Sequence, residues 1–413
     1  IFFSGLLGVL RGYFQANKSM VQTSVSQILE QILNAAVSML AAWALMQVFV
    51  KEDALTRSAW GAVGSAVGTG IGVLAALAFM LMIYQMNRGV IRRSLERDRS
   101  THLLSTKEIF KIILFMVTPV LLSTFAYNAS ALINQTLYLN LMQSVHGASY
   151  EEITVINGIY DTEAVGLSNI PIAIASAMAS AILPSIAGSF ETKNKKDVNK
   201  KIGVAIKTIM FLAIPSAVGM TVLARPIVWV LYNTNADSIT LGGRLLAALG
   251  VSIVCYSLST LSNSILQAVG QASRPVTNAV IALAVQTAVA GLLLGFTDLG
   301  IYSLPIAVTI YSLLMCVLNG YHVRKATGYR QEVVRTFLLP AWAALIMGVA
   351  AAGIYYGLAF LLPEGYFGNL VSLIAAVAAG ALVYFAAALK LGAMTGIPKG
   401  AMVVRAAEKL HLL

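Results

Sequence analysis

Polar side chains recur at helical spacing inside three long apolar segments of this 413-residue chain, at 21–49, 108–140 and 239–268. A polar group in hydrocarbon is costly unless it meets water or a partner, so such a stripe lines a hydrated cavity or joins helices by hydrogen bonds. Because three segments share the pattern, we expect a water-filled cavity between two helical lobes, although interhelical bonding explains any one position alone. The candidates are Gln27, Glu30, Gln31, Asn34, Tyr127, Asn128, Asn134, Gln135, Tyr256, Asn263 and Gln267.

Glu30 is predicted to be the only acidic residue near the middle of the bilayer. A carboxyl group in that position is a candidate protonation site coupled to transport. The alternatives are a neutral glutamic acid hydrogen-bonded to Gln27 or Asn34, and a carboxylate paired with an arginine upstream of Ile1.

Two arginines are candidates for contacting an anionic substrate, because guanidinium binds phosphate through paired hydrogen bonds. Arg11 lies at the predicted cytoplasmic mouth of the path. Arg244 lies about one turn inside the outer end of segment 239–268. Anchoring at the membrane surface is the alternative for both residues.

Other kinds of chemistry lack their motifs. No Gly-rich phosphate-binding loop of the Walker type occurs, so we expect no ATP and no other cofactor, and an ion gradient or the membrane potential as the driving force. The histidines, His102, His146, His322 and His411, are interpreted as scattered loop residues, which disfavours a metal site. Cys255 and Cys316 lie inside apolar segments, which excludes a disulfide framework.

The elements that position these residues are predicted to be membrane-spanning helices. Hydrophobic residues make up 58% of the chain and charged residues 11%, with a mean hydropathy of +0.80. A soluble domain has about 25% charged residues, so we predict an all-α polytopic membrane protein crossing the bilayer roughly ten or eleven times. The predicted segments are 1–10 (too short to span), 21–49, 60–86, 108–140, 164–188, 203–223, 239–268, 275–296, 301–323, 336–361 and 369–389.

Loop charges alternate along the chain. The loop at 87–107 is rich in arginine, whereas the predicted loop at 141–163 carries Glu151, Glu152, Asp161 and Glu163. Basic loops remain on the cytoplasmic side of bacterial membranes, so we place 87–107 inside and 141–163 outside. The net charge of +11 is explained by this rule, and we expect no nucleic-acid partner.

A short internal repeat suggests two related halves. Gln15-Ala16-Asn17-Lys18 aligns with Gln271-Ala272-Ser273-Arg274, each in a turn between two apolar segments. If both turns follow the fourth helix of a repeat, about three and a half helices would precede Ile1. We therefore predict the end of an N-terminal lobe at 1–87, a cytoplasmic linker at 88–107, a six-helix lobe at 108–325, and two additional helices with a basic cytoplasmic tail at 326–413.

The stretches FSGLLGVLRGYFQ at 3–15 and SQILEQI at 26–32 resemble one family. They are similar to the MurJ-type lipid II flippases and the stage V sporulation protein B group, in the polysaccharide-transporter branch of the multidrug/oligosaccharidyl-lipid/polysaccharide exporter superfamily. The resemblance implies two six-helix lobes plus two C-terminal helices. It also implies that the protein flips a cell-wall precursor linked to undecaprenyl pyrophosphate across the bacterial cytoplasmic membrane by alternating access. Lipid II is the precursor that we expect first.

Several other functions remain open at this point. A cation-coupled multidrug exporter of the same superfamily, or an exporter of another lipid-linked polysaccharide unit, has a similar pattern of helices. A membrane enzyme is disfavoured because paired catalytic carboxylates are lacking, so we predict a non-enzyme. The expected partners are the lipid-linked sugar and membrane lipids. Cell-wall synthesis proteins are further candidate partners. The protein would also bind them if it were a scaffold that recruits them.

Overall fold

The computed structural model describes residues 2–16, 20–51, 53–96, 105–363 and 365–393. Within these ranges the chain is helical and contains no strand. The helices are α1 (Phe2–Ala16), α2 (Met20–Val48), α3 (Ala54–Glu96), α4 (Thr106–Ser144), α5 (Tyr150–Ile159), α6 (Gly166–Glu191), α7 (Lys195–Val222), α8 (Ala224–Tyr232), α9 (Ala236–Ala248), α10 (Gly250–Ala268), α11 (Ser273–Phe296), α12 (Ser303–Thr327), α13 (Leu339–Leu361) and α14 (Tyr366–Lys390). They divide into two compact units, Ile1–Ser105 and Thr106–Leu413.

In the first unit, α2 and α3 pack at very short range. Gly64, Gly68 and Gly72 form a stripe on α3, and a side chain at Gly68 would collide with Ser38 on α2. Small residues at this spacing let two helix backbones approach closely in a membrane. The Ser38 hydroxyl donates to the carbonyl oxygen of Ser65 across the contact, at 2.8 Å.

The second unit is built around α7, the helix with the most continuous buried surface. Its residues Ile202, Ile209 and Phe211 are almost completely buried. Helices α6, α10 and α13 pack against it. Asn194 caps the start of α7 by accepting a hydrogen bond from the Asp197 amide at 3.1 Å, which satisfies one of the free N–H groups of the first turn.

The last two helices pack against each other, and α13 also packs against α7. The Tyr384 hydroxyl donates to the backbone carbonyl of Phe211 at 2.8 Å and fixes α14 to the centre of the unit. Large apolar side chains such as Phe360 and Phe367 remain exposed. An apolar exposed surface of this kind is expected for helices that face lipid.

Among the described residues, eight helices are long and apolar enough to cross a membrane. The number becomes nine when α9 and α10, which meet at a bend of 46°, are taken as one span. The predicted segment 239–268 is therefore two helices that meet at Leu249. The predicted segment 108–140 lies within α4, which has 39 residues, compared with about 20 for one bilayer crossing.

The predicted external loop at 141–163 is wrong in extent. Residues 141–144 belong to α4, and a single helical stretch runs from Tyr150 to Glu191. A π-helical turn at Tyr160–Val165 joins α5 to α6 within this stretch. The loop shrinks to residues 145–149, because the acidic residues that suggested a loop are accommodated inside the helix. At the predicted linker, residues 88–96 continue α3, and 97–104 lie outside the described residues.

Candidate functional site

A cavity of about 220 Å³ lies within the second unit, between α4, the 150–191 helix, α10 and α12. Four of the predicted path residues line it: Asn128, Asn134, Gln135 and Tyr256. The further polar side chains on its wall are Ser130, Tyr160, Asp161, Ser168, Asn169 and Ser252. Polar groups from three helices thus converge on one cavity, whereas α12 contributes the apolar residues Leu304 and Val308.

The π-helical turn shapes one wall of this cavity. Such a turn inserts one residue into the α-helical repeat and shifts the side chains that follow, and it often marks a functional site. It places Tyr160 and Asp161 on the cavity wall. Asn157, one turn earlier, donates to an Asp161 carboxylate oxygen at 2.9 Å and so orients it. The turn therefore supplies a positioned carboxylate that the sequence alone assigns to a loop.

Two buried polar atoms at the cavity have no hydrogen-bond partner among the described residues. They are the side-chain oxygen of Asn134 and the hydroxyl oxygen of Tyr160. Buried polar groups are nearly always hydrogen-bonded to protein or ordered water. Both residues line the cavity, so a small shift of either side chain would bring its free oxygen within reach of water or a ligand hydroxyl there. This wall is suited to binding polar groups by hydrogen bonds.

Glu163 lies on the same π turn but faces away from the cavity, towards α8 and α9. Its side chain is 5% exposed, and a side chain added at Gly242 would collide with its carboxylate oxygen. Nearby, the Tyr232 hydroxyl donates to the Thr162 carbonyl at 2.8 Å and ties α8 to the turn. Glu163 is thus a buried carboxyl group in a helix long enough to span a membrane, and it is not among the residues predicted for the path. The helical spacing of Tyr160, Glu163 and Leu167, all buried, is the signal that sequence reasoning missed.

In the first unit, Glu30 forms an ion pair with Arg11. The Arg11 guanidinium contacts the Glu30 carboxylate at 2.7 Å and also donates to the Ser26 hydroxyl at 2.8 Å. The side chains of Arg11 and Glu30 are 16% and 20% exposed. The expectation of a hydrogen bond to Gln27 or Asn34, or of a partner upstream of Ile1, is replaced by an ion pair between two of the predicted site residues.

The remaining polar residues of α2 divide between two roles. Gln27 and Gln31 are exposed. Asn34 accepts a hydrogen bond from the Thr69 hydroxyl at 3.2 Å, across from α3. Asn34 therefore takes part in interhelical bonding, the alternative that the sequence left open.

On α10 the predicted path residues also differ in what they contact. Tyr256 lines the cavity, whereas Gln267 is exposed. The Asn263 side-chain oxygen accepts from Asn319 on α12 at 2.7 Å, and Asn319 in turn accepts from Asn278 on α11 at 2.8 Å. This chain of amides joins three helices and lies outside the cavity.

Other predicted residues lie elsewhere. Arg244 is exposed on α9 and does not line the cavity. The side chain of Tyr127 is outside the described residues, as are His102 and His411. His322 belongs to α12 and not to a loop, and Asn278 lies 3.1 Å from its ring nitrogen. Cys255 and Cys316 are free thiols. In the described ranges no group of three or more His, Cys, Asp or Glu side chains is arranged to hold a metal ion.

Comparison with known proteins gives a consistent result. Residues 1–376 match the family model described as "Lipid II flippase MurJ". The chain is 25% identical to the lipid II flippase MurJ of Bacillus subtilis (strain 168), over 94% of this chain and 70% of that protein. It is 21% identical to stage V sporulation protein B of the same organism, over 90% and 68% of the two chains. A solved structure of lipid II flippase MurJ in an inward closed conformation is similar in fold, with a TM-score of 0.57 and 16% identity over 94% of this chain and 71% of that one.

Proposed function

Since the chain belongs to the lipid II flippase MurJ family, we propose that it moves lipid II, a cell-wall precursor linked to undecaprenyl pyrophosphate, across the bacterial cytoplasmic membrane. It is a multi-pass protein of that membrane. The proposed mechanism is alternating access, in which a binding site opens to one side of the membrane at a time.

The observation that carries the proposal is the polar cavity of the second unit. A lipid-linked sugar has a large polar head, which cannot cross hydrocarbon at an acceptable free-energy cost, and an apolar tail, which can stay in lipid. The unpartnered oxygens of Asn134 and Tyr160 suit the hydroxyl and amide groups of a sugar head. We assign Asn128, Asn134, Gln135 and Tyr256 to this polar path.

The second candidate, a cation-coupled multidrug exporter, is not favoured. Such exporters tend to carry an acidic residue within the first helix of the second lobe, whereas the acidic residue of α4 is Glu108, in its first turn. The family match favours the lipid-linked substrate. Because the sequence contains no Walker motif, we expect an ion gradient or the membrane potential to drive transport.

The test is rescue of a bacterium depleted of its lipid II flippase. Expression of the protein should restore growth and expose lipid II on the outer surface of the cells. Asn134→Leu, which removes the amide but keeps the size of the side chain, should reduce lipid II exposure at equal expression. Gln267→Leu is the matched control, because Gln267 belongs to the same predicted path but is exposed outside the cavity. A well-expressed wild-type protein that neither rescues growth nor exposes lipid II would show that the assignment is wrong.

A further inference from the structure

A second cavity, of about 530 Å³, lies in the same unit between α7, α10, α12 and the segment that follows α12. It shares no lining residue with the polar cavity described above. Its inner wall is apolar, with Ile206 from α7, Leu258 and Ile265 from α10, and Val323 from α12. Its rim is cationic, because Arg324 and Arg330 both line it.

The cationic rim is held in place by the backbone around it. Gly328 adopts a left-handed conformation with φ of 75°, which ends α12 and turns the chain back across the cavity. The residues after it, 328–332, are here named the strap. The strap carries Arg330, and Arg324 lies in the last turn of α12. Arg324 therefore reaches the cavity from the chain before the Gly328 turn, and Arg330 reaches it from the chain after that turn.

Two contacts fasten the strap to α7. The ring of Tyr329 lies against Gly203, and the Lys207 ammonium contacts the Glu332 carboxylate at 2.6 Å. Lys207 is largely buried, with 14% of its side chain exposed. The backbone at Arg330 is thus held between two fixed neighbours, while its side chain is exposed at the rim of the cavity.

Neither Arg324 nor Arg330 has a carboxylate partner within the part of the chain that the structure describes. The general excess of cations on the cytoplasmic side accounts for basic residues at this end of the helices. It does not account for two unpaired guanidinium groups on the rim of one cavity with an apolar interior. Lys325, next to Arg324, is exposed and does not line the cavity, as expected of a simple anchoring charge.

From this geometry we propose that the cavity is a binding site for a phosphate-bearing group, recognised by Arg324 and Arg330. Guanidinium pairs bind phosphate oxygens through charge-assisted hydrogen bonds, and basic pockets between membrane helices bind lipid headgroups. The apolar wall would accommodate the first carbons of an attached chain. The phosphate comes either from an anionic bilayer phospholipid or from a soluble phosphate, and the experiment separates these two sources. The site is independent of the transport cavity, so its failure leaves the proposed function standing.

Cys316 lines this cavity and is a built-in reporter. The chain has two cysteines, so Cys255→Ala leaves Cys316 as the single thiol. We propose measuring its rate of maleimide labelling in nanodiscs of phosphatidylcholine alone, in nanodiscs that also contain phosphatidylglycerol, and in phosphatidylcholine nanodiscs with added inorganic phosphate or pyrophosphate. Slower labelling with phosphatidylglycerol identifies a lipid headgroup as the ligand, and slower labelling with the soluble anions identifies a soluble phosphate.

The variants decide whether the arginines are responsible. Replacing Arg324 or Arg330 with Gln should raise the ligand concentration that gives half-maximal protection of Cys316 about tenfold. This is the effect expected from losing one charged hydrogen bond. Lys325→Gln, which removes the same charge at the same helix end, should leave protection unchanged. Equal labelling under all conditions would overturn the proposal, as would protection that persists in the Arg324→Gln/Arg330→Gln double variant.

Discussion

At the scale of single residues, the ion pair of Arg11 and Glu30 changes how both are interpreted. From the sequence, Arg11 is a candidate contact for a substrate phosphate, with membrane anchoring as the alternative, and Glu30 is a candidate protonation site, with a structural role as the alternative. In the structure each compensates the charge of the other, at 2.7 Å and with less than a quarter of either side chain exposed. A group that is paired in one conformation can still be released in another, so a coupling role for Glu30 remains a prediction that concerns the transport cycle.

Neutralising Glu30 should destabilise the first unit. Glu30→Gln leaves the Arg11 cation partly buried without its counter-charge, and Arg11→Gln does the reverse. We expect a double-mutant cycle in thermal unfolding to give an interaction free energy of about 1 kcal/mol or more. The exposed pair Arg92 and Glu96 is the control, and its cycle should give less than about 0.5 kcal/mol. If Glu30→Gln also transports lipid II normally over a wide pH range, Glu30 has no coupling role.

The buried Glu163 depends on a glycine in the facing helix. A Cβ at Gly242 would overlap the Glu163 carboxylate oxygen and would also approach Val228. Gly242→Ala should therefore destabilise the protein by about 1–3 kcal/mol, the usual cost of overpacking. Gly291→Ala, within α11 and with open space around the added carbon, should be neutral or stabilising.

A second substitution tests whether this cost is steric. Glu163→Ala combined with Gly242→Ala should recover most of the lost stability, because the colliding carboxylate is removed. Thermal unfolding of the four proteins provides the comparison. No recovery in the double variant would mean that Gly242 is needed for another reason.

At the scale of elements, the strap is the feature with a definite response to pH. Hydrogen bonding from Lys207 and the positive charges of Lys207 and Arg335 lower the pKa of the Glu332 carboxyl group. Burial and the nearby charge of Glu332 raise the pKa of Tyr329 to about 12, so this tyrosine stays neutral. The attachment of the strap to α7 therefore depends on the ionised form of Glu332.

The sign of the pH effect follows from the lowered pKa. The stabilising contribution of Glu332 is complete above the pKa of an unfolded glutamate, about 4.3, and is lost as the pH falls through the lower folded value. Wild type should exceed Glu332→Gln in unfolding free energy by at most about 1 kcal/mol at pH 7, because 44% of the Glu332 side chain is exposed. The difference should vanish in acid. Thermal unfolding at several pH values measures it, and a difference that persists at the lowest pH would contradict the ion-pair explanation.

At the scale of the whole molecule, the charge pattern predicts the membrane topology. The loop at 145–149 is the part of the predicted external segment that remains a loop, and Ser149 lies in it. Arg92 is exposed near the end of α3, in the segment predicted to be cytoplasmic. These two positions should lie on opposite sides of the membrane.

Cysteine labelling tests that topology directly. In a background with Cys255→Ala and Cys316→Ala, Ser149→Cys should react with an impermeant maleimide added to intact cells. Arg92→Cys should react only after the membrane is permeabilised. Equal labelling of both positions in intact cells would show that the predicted orientation is wrong.

The sequence by itself determined the membrane class, the all-α fold and the family, because each is written in local patterns: apolar runs long enough to span a bilayer, charges between them, and short family stretches at 3–15 and 26–32. Helical spacing also put Asn128, Asn134, Gln135 and Tyr256 on polar helix faces, for a cavity predicted between two lobes, whereas the structure places them around a cavity within the second unit. Only the tertiary structure decided which polar groups meet. Periodicity fixes the direction of a side chain around its own helix but not the neighbour it faces. It therefore could not predict the pairing of Arg11 with Glu30 or the chain of amides from Asn263 to Asn278.

The π turn could not be predicted for a related reason. Its acidic residues have the composition of a loop, and only packing against α9 shows that Glu163 is buried within a helix.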